Sequence, residues 1–242
     1  MTGSFRTLAD ELRFMGVLND KKLYEAVCKV DRRDFVLPKY RDLAKYDRVL
    51  PSWEEGGRIL STSTQPSLAI EMIKLLKILK GSKVLDIGTG TGYATAIMAA
   101  AYMDSYIIGV EWLPSLVDTA LKNFKKYDLR NVEVHSGDGY NGCILHAPFD
   151  RIISMVAPSD ISPFWFRQLK VGGILVSPVF INALYTPVIT CEKTTERDLL
   201  CKKSIDAVFI PMEHHSDNSF PLKISEMHFE LSKNSLICKS SR

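Results

Sequence analysis

The residues with the clearest chemical potential are Asp86 and the glycines that follow it. Gly88, Gly90 and Gly92 come directly after the apolar run Lys83–Ile87 and directly before a helix-forming stretch. Glycine is needed where a backbone turns sharply and where a ligand must approach it without side-chain interference. The first turn of a helix also offers unpaired N–H groups and the positive end of a dipole. We therefore predict that this loop binds a ligand, with the helix start facing a carboxylate.

Two further acidic residues follow the next two apolar runs. Glu111 ends the run that starts at Tyr106, and Asp138 stands between Gly137 and Gly139 after the run that ends at Ser136. A carboxylate at a strand end can accept hydrogen bonds from both hydroxyls of a ribose. An acid between glycines can reach the amino group of an adenine while the adjacent backbone lies against the ring. The alternatives are a surface glutamate at a strand end and a simple Gly-Asp-Gly turn.

The elements that must position these acids alternate in type along the chain. Short apolar runs predict strands, and the stretches between them have helical composition. This alternation predicts right-handed crossovers and a mostly parallel sheet, and apolar residues at every strand position predict helices on both faces. The expected fold is a doubly wound α/β domain. The predicted strands are Lys83–Ile87, Tyr106–Glu111, Val132–Ser136, Arg151–Met155 and Ile174–Val179, and the helices Tyr93–Ala101, Ser115–Tyr127 and Pro163–Leu169.

The flanking segments are less regular. Leu8, Leu12 and Met15 recur at helical spacing, which predicts a helical N-terminal extension, and a second helix is expected after Asn19. Residues 51–66 are predicted to form a loop, with a helix from Ser67. After Phe180 we expect a terminal antiparallel pair of strands, Tyr185–Cys191 and Ser204–Ile210, around the charged stretch Glu192–Lys203.

Composition excludes several classes of protein. The net charge of +3 is dispersed, which argues against nucleic acid as a partner. No apolar run approaches the roughly 20 residues that span a bilayer. The five cysteines are odd in number and form no CxxC pair, so we expect reduced thiols, a cytoplasmic protein and no metal site. His135 and His146 are expected to be structural. The five cysteines are Cys28, Cys143, Cys191, Cys201 and Cys238.

The glycine spacing distinguishes between cofactor classes. The nicotinamide dinucleotide fingerprint is GxGxxG, whereas here the third glycine falls one residue early. The GxGxG pattern after a strand that carries an acid resembles class I S-adenosylmethionine-dependent methyltransferases, whose fold is Rossmann-like. A longer series of motifs, from about residue 5 to residue 212, resembles the protein-L-isoaspartate O-methyltransferase family. The series includes Asp31–Val36, Tyr46-Asp47, Ser63–Pro66, Gly137–Gly139, Ala147–Asp150, Ala157-Pro158, Leu169–Gly173 and Val208–Pro211.

The resemblance implies methyl transfer from S-adenosyl-L-methionine to the α-carboxylate of L-isoaspartyl residues in damaged proteins and peptides, leaving S-adenosyl-L-homocysteine. It implies one methyltransferase domain over residues 1–212, with the helical extension and substrate loop in 1–66, the cofactor core in 67–180 and terminal strands in 181–212. Residues 213–242 are an extension without an assigned role. We expect a monomer that binds neither nucleic acid nor membrane.

The resemblance also assigns residues to roles. Thr64 takes the place of the serine that contacts the substrate carboxylate, with Thr62 and Ser63 beside it as catalytic candidates. The substrate-binding candidates are Gln65, Pro66, Val156, Ala157, Pro158 and Ile210. The cofactor-binding candidates are Asp86, Gly88, Thr89, Gly90, Thr91, Gly92, Glu111, Trp112, Gly137, Asp138 and Gly139.

The chain departs from the family pattern near the substrate loop. The family sequence Thr-Ile-Ser-x-Pro is replaced, with Ser63 in the isoleucine position and Thr64 in the serine position. Threonine keeps the hydroxyl but adds a methyl group that crowds the site. Three alternatives follow: an adaptor that binds cofactor without activity, a carboxyl O-methyltransferase for another peptide or small molecule, and a Thr64 that only caps the helix starting near Pro66.

Overall fold

A mixed sheet of nine strands organises the described part of the chain. The computed structural model describes residues 7–212 and the backbone of 227–232 and 235–240. The strands of this sheet are β3 (Lys83–Ile87), β4 (Tyr106–Glu111), β5 (Val132–Ser136), β6 (Phe149–Ser154), β7 (Leu169–Pro178), β8 (Val188–Lys193), β9 (Asp198–Ile205), β10 (Met227–Ser232) and β11 (Ser235–Ser240). A separate hairpin contains β1 (Leu50–Glu55) and β2 (Arg58–Ser63).

The strand order creates one crevice. Five parallel strands lie in the order β7-β6-β3-β4-β5, so the chain leaves β3 toward β4 and later returns to the other side of β3 as β6. In doubly wound sheets ligands bind where the strand order reverses, outside the carboxyl ends of the strands. Here that point lies between the ends of β3 and β6. The predicted fold class is confirmed.

Helices cover the two faces unequally. One face carries α1 (Leu8–Phe14), α2 (Lys21–Lys29), α3 (Pro66–Leu75), α4 (Tyr93–Ala101) and α5 (Pro114–Lys126), which share a single apolar cluster. The other face is covered by α6 (Pro163–Gln168), whose Trp165 is fully buried against the sheet, and by turns near Cys143. The predicted N-terminal helices are therefore part of the main core. Within the described residues no helix has the length and apolarity needed to cross a membrane.

The segment 51–66 is a hairpin, so the predicted loop is wrong for most of its length. Its strands pair antiparallel from Leu50 opposite Ser63 to Glu55 opposite Arg58. Gly56 and Gly57 make the turn with φ of +56° and +78°, as the two-residue turns favoured in hairpins require. The sequence hid β2 because its first three residues are exposed and lack the alternation of a half-buried strand.

The terminal antiparallel pair exists, but its second strand lies earlier than predicted. Leu199 and Cys201 are buried in β9 and alternate with more exposed residues, so most of the charged stretch is strand and only residues 194–197 form the connection. Cys191 of β8 lies directly opposite Cys201, and their Sγ atoms form a disulfide. The expectation of reduced thiols is wrong for these two cysteines. Of residues 213–242, the backbone of β10 and β11 extends the sheet beyond β9, and the rest lies outside the described residues.

Candidate functional site

A cleft of about 920 Å³ opens at the crevice between β3 and β6. This volume is within the range of about 300–1,000 Å³ typical of small-molecule sites. The end of β2 and the start of α3 form one wall, the glycine loop forms the floor, and the segment after β9 forms the opposite wall. The cleft includes eleven of the predicted site residues: Thr62, Ser63, Thr64, Gln65, Gly88, Thr89, Gly90, Thr91, Glu111, Val156 and Ile210.

The glycine loop requires its glycines. Gly88, Gly90 and Gly92 have φ of +77°, +58° and +93°, which L side chains rarely adopt. A Cβ atom on Gly88 would lie 2.9 Å from Cγ1 of Val156, and one on Gly92 would lie 2.7 Å from the Phe124 ring. The loop is therefore packed against the segment after β6 on one side and α5 on the other, and its backbone lines the cleft.

Asp86 lies beneath this loop and is fully buried. Its Oδ2 accepts a hydrogen bond from the Thr95 hydroxyl at 2.5 Å, whereas its buried Oδ1 has no hydrogen-bond partner within the described residues. Burial raises the pKa of Asp86 to about 7, and the nearby charge of Glu111 adds to the effect. The carboxyl group thus has an unused polar atom at the base of the loop.

Glu111 connects the end of β4 to the glycine loop. Its Oε2 accepts from the Gly90 N–H at 2.7 Å, and its Oε1 accepts from the Leu113 N–H at 3.1 Å. Burial raises the pKa of Glu111, and hydrogen bonds from backbone N–H groups oppose that rise. A carboxylate has about four lone-pair sites in all, so Glu111, which lines the cleft, can accept further hydrogen bonds. The neighbouring Trp112 is 41% exposed and is not part of the cleft wall.

The segment Gly137–Gly139 lies beside the cleft rather than in its wall. The Gly137 N–H donates to the Glu111 carbonyl at 3.0 Å, which ties the segment to the end of β4. The Asp138 side chain accepts from the Tyr140 N–H at 2.9 Å and begins a short turn. A Cβ atom on Gly139 would lie 2.7 Å from Ile87, so glycine is required by close packing.

The segment Thr62–Gln65 lines the cleft as part of the wall above the glycine loop, with Thr64 half-buried. The Gln65 amide donates to Asp47 at 2.8 Å, and Asp47 also accepts from the Ser67 N–H at 2.8 Å. Helix α3 begins after Gln65 with no cap from its own N-cap side chain, so Asp47 provides that function from a distance. The alternative that Thr64 caps this helix is therefore wrong. Pro66 is buried in the first turn of α3 and outside the cleft wall.

Arg32 holds this segment, and sequence reasoning did not assign it a role. It is 3% exposed, and its guanidinium donates to the Ser63 hydroxyl and to the carbonyls of Ser63 and Thr64, each at 3.2 Å. It also donates to the carbonyls of Tyr46 and Arg48 at 3.1 and 2.7 Å. Burial lowers the pKa of Arg32 to about 10, which leaves it charged at neutral pH. Arg32 lies within the motif Asp31–Val36, but its role could not be predicted because backbone carbonyl partners cannot be identified from residue types.

The segment after β6 is tied to the segment after β9. The Ala157 N–H donates to the Ile210 carbonyl at 2.9 Å, and the Met212 N–H donates to the Ala157 carbonyl at 2.8 Å. Val156 and Ile210 face the cleft, whereas Ala157 and Pro158 are buried behind its wall. The structure thus brings two of these four substrate-binding candidates to the cleft and gives the other two a supporting position.

Comparison with known proteins identifies the family. The profile described as Protein-L-isoaspartate(D-aspartate) O-methyltransferase (PCMT) matches residues 4–217. The chain belongs to this family. Its relatives include protein-L-isoaspartate O-methyltransferases of Cronobacter sakazakii, 38% identical over 72% of this chain and 80% of that protein, and of Aeropyrum pernix, 34% identical over 85% of this chain and 77% of that one.

Solved structures of the family agree in fold. One protein-L-isoaspartate O-methyltransferase superposes with a TM-score of 0.79 at 28% identity, covering 86% of this chain and 65% of its own. The chain thus spans just under two thirds of that structure. A β-aspartate methyltransferase (PCMT) of Plasmodium falciparum, solved in complex with S-adenosyl-L-homocysteine, superposes with a TM-score of 0.70 at 21% identity, over 85% of this chain and 96% of its own.

Proposed function

We propose that this protein transfers a methyl group from S-adenosyl-L-methionine to the free α-carboxylate of L-isoaspartyl residues in damaged proteins and peptides. The observation that carries the proposal is the cleft that joins the glycine loop after β3 to the hydroxyl-bearing segment Thr62–Gln65. That arrangement occurs in a chain whose residues 4–217 match the isoaspartyl methyltransferase family. The resulting activity is the first step of protein repair.

The described residues fit the cofactor. The backbone of Gly88 and Gly90 lines the cleft without side chains, and the unpartnered Oδ1 of Asp86 offers a polar atom under the loop. Glu111 would accept hydrogen bonds from the ribose hydroxyls through its remaining lone pairs, and Asp138 would hold the adenine amino group. S-adenosylmethionine, when bound, supplies a methyl group that is already activated as a sulfonium. The other cofactor contacts are proposed for Thr89, Thr91, Gly92, Trp112, Gly137 and Gly139.

The chain has a simple chemical task at the acceptor side. An α-carboxylate is ionised at neutral pH, so the residues around it need not remove a proton. They must align its oxygen with the methyl group and exclude water. Thr64 would donate a hydrogen bond that orients this oxygen, while Arg32 positions Thr64 through the carbonyls of Ser63 and Thr64. Apolar side chains of Val156, Phe209 and Ile210 would shield the reacting atoms.

The test is methyl transfer to a matched pair of peptides. Radiolabel from the cofactor is followed into a peptide with one L-isoaspartyl residue and into its twin with normal aspartate. The proposal expects label in the first peptide alone, in a base-labile ester. Labelling of both peptides would favour a broader carboxyl methyltransferase. Cofactor binding without label in either would favour the adaptor.

We further propose that the protein acts as a monomer in which one chain supplies both the glycine loop and the substrate segment of the cleft. A cytoplasmic location is part of the proposal, and the buried Cys191–Cys201 disulfide is the observation that argues against it. Analytical sedimentation measures the oligomeric state. Detection of the protein in cell fractions tests the location, and recovery outside the cytoplasmic fraction would contradict it.

A further inference from the structure

A cluster of metal-binding side chains lies outside the cleft, at the edge of the sheet formed by β5. His135, Cys143 and His146 each offer one ligand atom, and these atoms lie within 4.8 Å of one another. Glu133 completes the group, because its Oε1 lies 3.0 Å from Nε2 of His146 and 3.3 Å from Nε2 of His135. Nothing in the methyl-transfer chemistry uses these four residues.

Two different segments bring the four side chains together. Glu133 and His135 are two residues apart on β5 and therefore point to the same face of the sheet. They stand opposite Ile108 and Val110 of β4, which belong to the apolar cluster that also contains Cys143. Cys143 and His146 come from the turn that follows. This turn is anchored where the Cys143 N–H donates to the Gln168 side chain at 2.8 Å.

Two buried polar atoms of the cluster lack a hydrogen bond of suitable geometry within the described residues. These atoms are Oε1 of Glu133 and Nε2 of His135. Cys143 is 7% exposed, while the two histidines are half-buried. Buried polar atoms normally have partners, and unpaired ones often mark a site for an ion. A carboxylate, a thiol and two imidazoles thus lie within one small volume, and these are groups that bind transition metals.

We propose that Glu133, His135, Cys143 and His146 form a Zn²⁺ site. Nitrogen and sulfur donors suit zinc, whereas magnesium and calcium prefer all-oxygen sets. With bonds of about 2.0–2.3 Å, ligand atoms in a tetrahedral site are roughly 3.3–3.8 Å apart, so the cluster must contract by about 1 Å. Rotation of the half-exposed imidazoles can provide this. Binding would release the proton of the Cys143 thiol.

Four protein ligands would make this a closed, structural site. It would join the turn 143–146 to β5, and the segment between them contains Asp138. Zinc would therefore stabilise the side of the domain next to the cofactor cleft. No spacing pattern in the sequence marks the site, because its ligands are spread over two segments without a CxxC pair.

Cobalt substitution tests the proposal. The full chain is stripped with a chelator under argon without added thiol, so that the Cys191–Cys201 disulfide stays closed, and is titrated with Co²⁺ and then with Zn²⁺ in competition. We expect one equivalent of Co²⁺ with a thiolate charge-transfer band and intense tetrahedral visible bands, both removed by zinc. Cys143→Ser should abolish the charge-transfer band. His135→Gln and His146→Gln should each weaken zinc binding at least about tenfold, the scale on which altered metal-site partners act.

Two controls exclude other ligands. Cys28→Ser removes the other free cysteine among the described residues, and the double substitution His214→Gln with His215→Gln removes histidines of the C-terminal segment. Both variants should keep the full spectrum. The proposal is overturned if wild-type protein gives no charge-transfer band, or if the band survives Cys143→Ser or disappears in either control. Because the presence of the charge-transfer band is tested on the wild-type protein, the proposal can be refuted even if a variant folds poorly.

Discussion

Replacing Arg32 with lysine would test whether this residue holds the substrate segment in place. Lysine keeps the charge but lacks the planar fork with which Arg32 reaches four carbonyls and one hydroxyl. Hydrogen bonds to charged groups contribute about 1.5–3 kcal/mol each, and we expect a net loss of about two of them, or roughly 3–5 kcal/mol after relaxation. At about 2–4 °C per kcal/mol for a domain of this size, the melting temperature should fall by roughly 6–20 °C.

Arg33→Lys is the matched control. Arg33 is the next residue and pairs with Asp31 on the surface, with 65% of its side chain exposed. Exposed pairs contribute about 0–1 kcal/mol, so its melting temperature should change by only a few degrees. Turnover of an isoaspartyl peptide should fall about 10- to 100-fold in Arg32→Lys alone, as expected for a misaligned reacting group. Equal melting temperatures and equal turnover in the two variants would refute the proposed role of Arg32.

Three further substitutions address the cleft. Thr64→Val should lower turnover roughly 10- to 1000-fold, whereas Thr64→Ser should stay active. The melting temperature of Thr64→Val should be unchanged because Asp47, not Thr64, caps α3, and unaltered turnover in this variant would remove Thr64 from the mechanism. Gly88→Val should abolish binding of S-adenosyl-L-homocysteine in calorimetry, because the new side chain would clash with Val156. Gly57→Val introduces a side chain at nearly the same positive φ but with no neighbour within 4 Å, so it should bind normally, and equal binding by the two variants would contradict this. Because the pKa of Asp86 is raised in the folded protein, protonation of its carboxyl group stabilises the fold, and this stabilisation is lost as pH rises from about 4 to about 7. Asp86→Asn should therefore melt at a higher temperature than wild type at pH 8 and at nearly the same temperature near pH 4, and an equal difference at both pH values would contradict the assignment.

The sequence predicted the cofactor side of the molecule well. The bounds of β3, β4, β5 and α4 agree with those expected, because short apolar runs and abrupt glycines leave little choice of register. The doubly wound, mostly parallel sheet also follows from the rules for alternating strands and helices, whereas the strand order was not predicted. Local signals were sufficient there because each element carries its own pattern.

The substrate side was harder to predict because it depends on contacts between distant segments. The hairpin β1–β2 has exposed polar residues, so only Gly56 and Gly57 marked it. The anchoring of Ser63 by Arg32 and the capping of α3 by Asp47 join residues 20 to 31 positions apart. Cys191 and Cys201 become neighbours only through the register of β8 and β9. Pairings of this kind are not encoded in periodicity or composition.

Hydrogen exchange measured with both ligands present tests the central claim, that the substrate carboxylate binds between the glycine loop and the segment Thr62–Gln65. The protein would be compared alone, with S-adenosyl-L-homocysteine, and with that product plus an isoaspartyl peptide or its aspartyl twin. The account predicts that the product slows exchange across residues 86–93 and that only the isoaspartyl peptide adds protection across 58–66. Protection of 58–66 that is equal for the two peptides, or absent with both, would contradict it.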